Sequence, residues 1–172
     1  MSCATDYNGE SQQFRSPEAD ELACPYFMPL ERLEGGTWPH PSRLPLGCGW
    51  RGHCTAPGHE NEAPPQDILE AFCNLGYASS CSWAPRDRAW DAVRFAVAAP
   101  SKIDNRGVSA DDLSQVPAVI RVMYVCERSH RPVERGDLQY NLQRSQWLQR
   151  HDDARLQKMA ECFLESFLKK KS

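Results

Sequence analysis

The side chains with the most chemistry to offer in this chain are its eight cysteines, Cys3, Cys24, Cys48, Cys54, Cys73, Cys81, Cys126 and Cys162, in 172 residues. Thiolates hold soft metals, pair as disulfides or attack electrophiles. At about 4.7% of the chain they fall under the roughly 8–10% of a small disulfide scaffold, yet exceed ordinary usage. Five of them, Cys24, Cys48, Cys54, Cys73 and Cys81, lie in one stretch of 58 residues that also carries eight prolines and seven glycines. Such a stretch buries little apolar surface by periodic packing, and a bound metal centre is the usual way to fix it.

Cys24, Cys54, Cys73 and Cys81 form the ligand set expected from this pattern. Cys24 opens a Cys-Pro, Cys54 follows His53, and Cys73 and Cys81 bracket a helix end. Structural zinc sites usually take ligands in pairs two to four residues apart, and the chain has no Cys-x-x-Cys. The gaps between these four are 30, 19 and 8 positions. An iron–sulfur cubane presents four separate iron corners and accepts ligands from separated segments, so it is the expected cofactor, 4Fe-4S before a two-iron cluster. Zinc is the alternative cofactor, and free or disulfide-linked cysteines are a third reading. Cys48 stands as a rival to Cys54 or as a neighbouring thiol. His53 and His59 flank Cys54 and could substitute for a ligand or donate a hydrogen bond to a sulfur.

The quartet with its flanks, Cys24-Pro25-Tyr26, Pro39-His40-Pro41-Ser42, His53-Cys54, Phe72-Cys73 and Cys81, resembles an uncharacterised bacterial four-cysteine module of metal- or iron–sulfur-binding character. The likeness spans about a third of the chain. It departs in having Ser82 where proline often follows the last cysteine, and in adding Cys48. It implies metal binding on those four residues and no particular activity.

Other motifs carry less. Gly47-Cys48-Gly49-Trp50-Arg51-Gly52 matches the glycine spacing of dinucleotide folds, but a proline-rich approach cannot be the buried strand such a turn requires. Signatures of phosphate binding, α/β-hydrolase chemistry, zinc proteolysis and covalent haem are absent. The reading is therefore non-catalytic, with a metal- or thiol-dependent enzyme as the remaining alternative. Cys126 and Cys162 sit in apolar patterns and read as small buried hydrophobes, and Cys3 falls in a polar N-terminal tail. His40, His130 and His151 have no recurring partner. Trp38, Trp50 and Trp83 lie close enough in sequence to shield a cluster, and Arg43, Arg51, Arg86 and Arg88 could give a local positive face.

The elements that must position these groups follow from periodicity. Pro64-Pro65-Gln66-Asp67 opens a helix with Ile68, Leu69, Phe72 and Leu75 on one face, closed by Gly76. Residues 91–97 alternate as a strand. Residues 118–127 read as a central strand apolar on both faces, and 136–143 as its partner across a hairpin at 128–132. A helix capped by Asp152 or Asp153 places Leu156, Met159, Ala160, Phe163, Leu164, Phe167 and Leu168 on one side and ends in lysines. The expected fold is α+β: a small antiparallel sheet with a C-terminal helix and a cysteine-rich, loop-rich metal-binding region. Residues 1–22 are expected to be a disordered or loosely attached tail, and 23–172 one domain, with the cysteine region at 23–85 and sheet plus helix at 86–172.

A net charge of −3 provides no basic field for nucleic acid. The start of the chain lacks the apolar run of a secretory signal, and no stretch approaches the length of a membrane span, which leads to the expectation of a cytoplasmic protein. The function expected is an iron–sulfur protein in electron transfer or redox sensing, working with a redox or regulatory protein partner. A zinc-stabilised module for binding protein or nucleic acid is the alternative, and the C-terminal helix could support a homodimer.

Overall fold

The computed structural model describes residues 22–35, 38, 44–98 and 119–170. The N-terminal tail, Cys3, Arg43 and the Pro39-His40-Pro41-Ser42 run lie outside them. Two antiparallel sheets and a helix make an α+β fold. Strands β3 (Ala92–Val97), β4 (Val119–Arg128), β5 (Arg131–Asn141) and β6 (Gln146–Gln149) pair in sequence order. Strands β1 (Phe27–Leu33) and β2 (Gly49–Cys54) form a separate ribbon in the cysteine region.

That ribbon departs from the loop-rich expectation, because proline and glycine serve packing here. Pro29 is buried within β1, and a β-carbon on Gly52 would stand 2.0 Å from the Met28 carbonyl oxygen of the paired strand. A residue that lets two backbones touch adds order without adding apolar periodicity. The glycine-rich run from Gly47 leads into β2, a strand and not the helix start of a dinucleotide fold.

β4 is central, as expected, but only one of its faces is covered. Val122, Tyr124 and Cys126 are buried, whereas Arg121 and Met123 on the opposite face are exposed, Met123 by 40%. Pairing of Val93 with Cys126, Phe95 with Tyr124 and Val122 with Leu138 sets the inner layer. The hairpin between β4 and β5 turns on Ser129 and His130, both at positive φ (50° and 59°), the mirror-image turn whose twist suits two antiparallel strands. These two residues pay a steric cost at that geometry, and tertiary bonds hold them. Asp91 accepts from the Ser129 N–H at 2.7 Å, and the Tyr77 hydroxyl oxygen accepts from the His130 N–H at 2.9 Å.

The C-terminal helix α2, preceded in the chain by a short α1 (Gln66–Ile68), starts at Ala154 and runs to Lys169. Asp153 is its N-cap, accepting from the Arg155 and Leu156 N–H groups. Leu156, Met159, Ala160, Cys162 and Leu164 are buried against β1 and β3, with Phe95 stacked on Phe163 at 5.7 Å. The helix thus joins ribbon and sheet through one buried cluster that includes Phe27, Trp50, Val93, Val122 and Met159. An isolated bridge between Ala23 and Val93 ties the chain before Cys24 to the edge of the sheet. No described helix is long and apolar enough to cross a membrane.

Candidate metal centre

Four separate segments bring Cys24, Cys54, Cys73 and Cys81 to the wall of one cavity, shared with Tyr26, Phe27, Ile68, Trp83 and Ala84. Cys24 begins a turn that Pro25 favours through its fixed φ, closed by the Phe27 N–H donating to the Cys24 carbonyl at 3.1 Å. Cys54 ends β2, paired with Phe27 at the start of β1, three residues after Cys24. Cys73 ends a helical stretch composed of α1 (Gln66–Ile68) and a π-helical turn (Leu69–Cys73). The Gly76 N–H bonds the Phe72 carbonyl at 3.1 Å just beyond it. Cys81 follows a 3-10 turn, Ala78–Ser80, anchored by the Ala78 N–H on the Asp91 carbonyl at 2.8 Å.

The seven described cysteines are free thiols. Burial pushes the Cys24 thiol up to about 12, against the opposing pull of the Tyr26 and Phe27 N–H groups, with Cys81 and Cys54 adding to the rise. Burial also raises Cys54, while the Ala56 N–H, donating to its sulfur at 3.4 Å, acts the other way. Cys73 is raised most, by burial first and then by the Cys24, Cys81 and Cys54 thiols. Burial thus favours the neutral thiols; ionising all four in so apolar a wall would call for a cation between them, which would act by deprotonating the thiols it binds. Soft thiol donors are the kind that zinc or iron takes, but no three Cys, His, Asp or Glu side chains among the described residues stand close enough to hold one ion.

The other thiols lie elsewhere. Cys48 lines a different cavity and contacts Ser166, sulfur to oxygen 3.3 Å, so Cys54 and not Cys48 joins the quartet. Cys126 and Cys162 are 0% and 2% exposed, and burial raises both to about 12. His53 precedes Cys54 on β2 and alternation turns it to the opposite face, away from the cavity. His59 stands outside the wall: its ring stacks on Trp83 at 4.1 Å and 2°, and its Nδ1 lies 3.0 Å from Glu62 Oε2. Of the three tryptophans, Trp83 alone lines the cavity. The described arginines of the proposed positive face are dispersed, Arg51 on Glu31 and Arg88 on Asp91.

No family model, curated protein or solved structure matches this chain. Geometry therefore carries the functional reading.

Two positioning residues had no signature in the sequence. Arg155, paired with Asp153, lies over the Tyr26 ring at 5.4 Å and ties the start of α2 to the Cys24 turn. Asn74, 2% exposed, accepts from the Trp50 N–H at 2.9 Å and donates to the Trp50 and Leu69 carbonyls at 3.0 and 3.1 Å. It closes the helix that carries Cys73 and locks it to the strand that carries Cys54. Asn74→Ala leaves buried backbone groups of Trp50 without partners, and we expect a loss of roughly 2–4 kcal/mol of stability in urea unfolding. A change under about 0.5 kcal/mol would show that the clamp is not needed to hold the two segments together.

Proposed function

We propose that Cys24, Cys54, Cys73 and Cys81 hold an iron–sulfur cluster, a four-iron cubane, and that the protein serves electron transfer or redox sensing. The observation that carries this reading is the gathering of four unpaired thiols, one from each of four chain segments, around one apolar cavity. The reading rests on that shared cavity and on the wide separation of the four segments along the chain, which suits the separate corners of a cubane; no three Cys, His, Asp or Glu side chains among the described residues stand close enough to hold one ion. Such a cluster would supply one-electron chemistry. The chain supplies exclusion of water by Tyr26, Phe27, Ile68 and Trp83, and N–H donors to sulfur, both of which tune potential. Cys81 is the least buried of the four, and with Trp83 it marks the edge nearest a redox partner.

One observation favours zinc as the second reading. The free volume among the thiols is about 10 Å3, room for one water-sized body, which is nearer the size of a single ion than of a cubane. Purification without oxygen, followed by iron, zinc and acid-labile sulfide analysis, separates the two. We expect about four irons and four sulfides per chain with a brown colour. One zinc per chain in a colourless protein establishes the zinc-stabilised module instead, and a folded protein free of both metals refutes both readings.

A further inference from the structure

The outer face of β3, β4 and β5 is unpartnered among the described residues. Ala96, Arg121, Met123 and Arg135 are exposed there and, with Val125, line one groove of about 600 Å3. The register sets Met123 between Ala96 and Asp137, and Val125 between Arg94 and Arg135, so an apolar floor is rimmed by guanidinium groups. Asp137 holds Arg121 at 3.1 Å through Nε alone, and Glu127 holds Arg94 at 2.7 Å. Arg135 has no ion pair among the described residues, and with both carboxylates already answered by an arginine it leaves the groove positive.

The chain itself holds an occupant of matching chemistry. Residues 1–21 carry Asp6, Glu10, Glu18, Asp20 and Glu21 against a single arginine, Arg15, with Tyr7 and Phe14 as large apolar side chains. They join the described chain at Leu22, one residue before the Ala23–Val93 bridge that fixes it to the β3 edge of this same sheet. From that edge β5 is two strand spacings away, about 10 Å, which roughly four extended residues cover. The cysteine region competes poorly for an acidic segment, since residues 52–85 hold Glu60, Glu62, Asp67 and Glu70 and no Lys or Arg. Attachment through the chain also gives an effective concentration on the order of millimolar, so contacts too weak to capture a separate peptide suffice.

We propose that the outer face of the sheet is the docking surface of the chain's own acidic segment, residues 1–21, whose carboxylates take the Arg121 and Arg135 guanidinium groups while its aromatic side chains lie on Met123 and Val125. Arginine–carboxylate forks and sulfur–aromatic contacts are the favourable pairings of such a surface. The proposal is independent of the cysteine centre and of which metal is held there.

The test is chymotrypsin cleavage after Phe14 in the full-length protein, timed by mass spectrometry against a synthetic peptide of residues 1–22 with the same sequence. Only the undocked fraction is open to the protease, so we expect the protein to be cut on the order of tenfold more slowly than the peptide. Arg135→Glu should speed the cleavage several-fold, and adding Glu18→Lys and Asp20→Lys to that variant should restore protection, as a charge swap across a real contact does. The proposal is overturned if the parent is cut as fast as the peptide, if Arg135→Glu is cut as slowly as the parent, or if the reversed segment fails to rescue it. Protection that fades on dilution also overturns it, because the segment then reaches a second copy. Arg135 is exposed and has no ion pair to lose, so Arg135→Glu keeps the fold, and an unchanged circular dichroism spectrum checks this.

Discussion

We expect Cys73→Ser to abolish metal binding, and Cys48→Ser and Cys162→Ser to keep the full complement of metal, if the proposed centre is held by Cys24, Cys54, Cys73 and Cys81. Cys73 is 5% exposed, and serine would place a harder oxygen with a far higher pKa where a soft thiolate is needed. Losing one of four ligands would also release the proposed metal and leave Cys24, Cys54 and Cys81 as neutral buried thiols. Metal binding of this kind is worth on the order of 10 kcal/mol and is linked to folding, so its loss should be felt as disorder near the site. Hydrogen exchange should then show protection lost around the Cys24 turn, the 54–62 loop and the helix ending at Cys73. The paired β4 and β5, with Val122, Tyr124 and Leu138 buried between them and α2, should keep theirs. Metal loss in Cys48→Ser, or uniform loss of protection in Cys73→Ser, would show that the ligands or their structural role are wrongly assigned.

The second large effect is expected at Asp91, which is 3% exposed and joins the cysteine region to the sheet. Its carboxylate accepts from the Ser129 N–H at the β4–β5 turn and from Arg88, while its backbone bonds Ala78 before Cys81 and Glu127 of β4. Asp91→Ala strands a largely buried guanidinium and releases a turn held at positive φ. We expect a cost of roughly 3–5 kcal/mol in equilibrium unfolding, as for other broken buried pairs. A cost below about 1 kcal/mol would mean that Arg88 finds another acceptor.

Asp91 also fixes a pH dependence. Burial opposes its ionised form, but the Ser129 N–H and Arg88 outweigh that, and the carboxyl is held below its ordinary value. The unfolded chain therefore binds the proton more readily. The stabilisation is complete above about pH 4 and is lost as the pH falls through the lower folded value. Asp153 at the α2 N-cap and Asp137 beside Arg121 titrate in the same sense. Asp91→Asn should flatten part of the acid limb of a stability–pH curve and leave the neutral region parallel to the parent. An acid limb as steep as the parent's would place the linkage on the other two.

Periodicity in the sequence was enough to set the α+β class, the order β3, β4, β5, and the C-terminal helix, because each of these buries one face and the burial repeats at every second residue or every turn; its cap was narrowed to Asp152 or Asp153, and the structure chooses Asp153. The separate segments, flanks and lack of Cys-x-x-Cys singled out Cys24, Cys54, Cys73 and Cys81, and the fold lines one cavity with all four. The β1–β2 ribbon was hidden, since its order comes from backbones in close contact at Gly52 and from a buried Pro29, which leave no alternation to read. The outer face of β4 could not be foreseen, because Val119, Met123 and Val125 look alike whether something covers them or not. The choice between Cys48 and Cys54 also belonged to the tertiary structure: six residues of β2 and its approach carry one thiol to the quartet and leave the other beside Ser166. Asn74 and Asp91 were silent for the same reason, being ordinary polar residues that act only when distant backbone groups come within hydrogen-bond reach. Local periodicity is written along the chain, but the partner of a buried polar group is chosen by the packing of segments far apart in it.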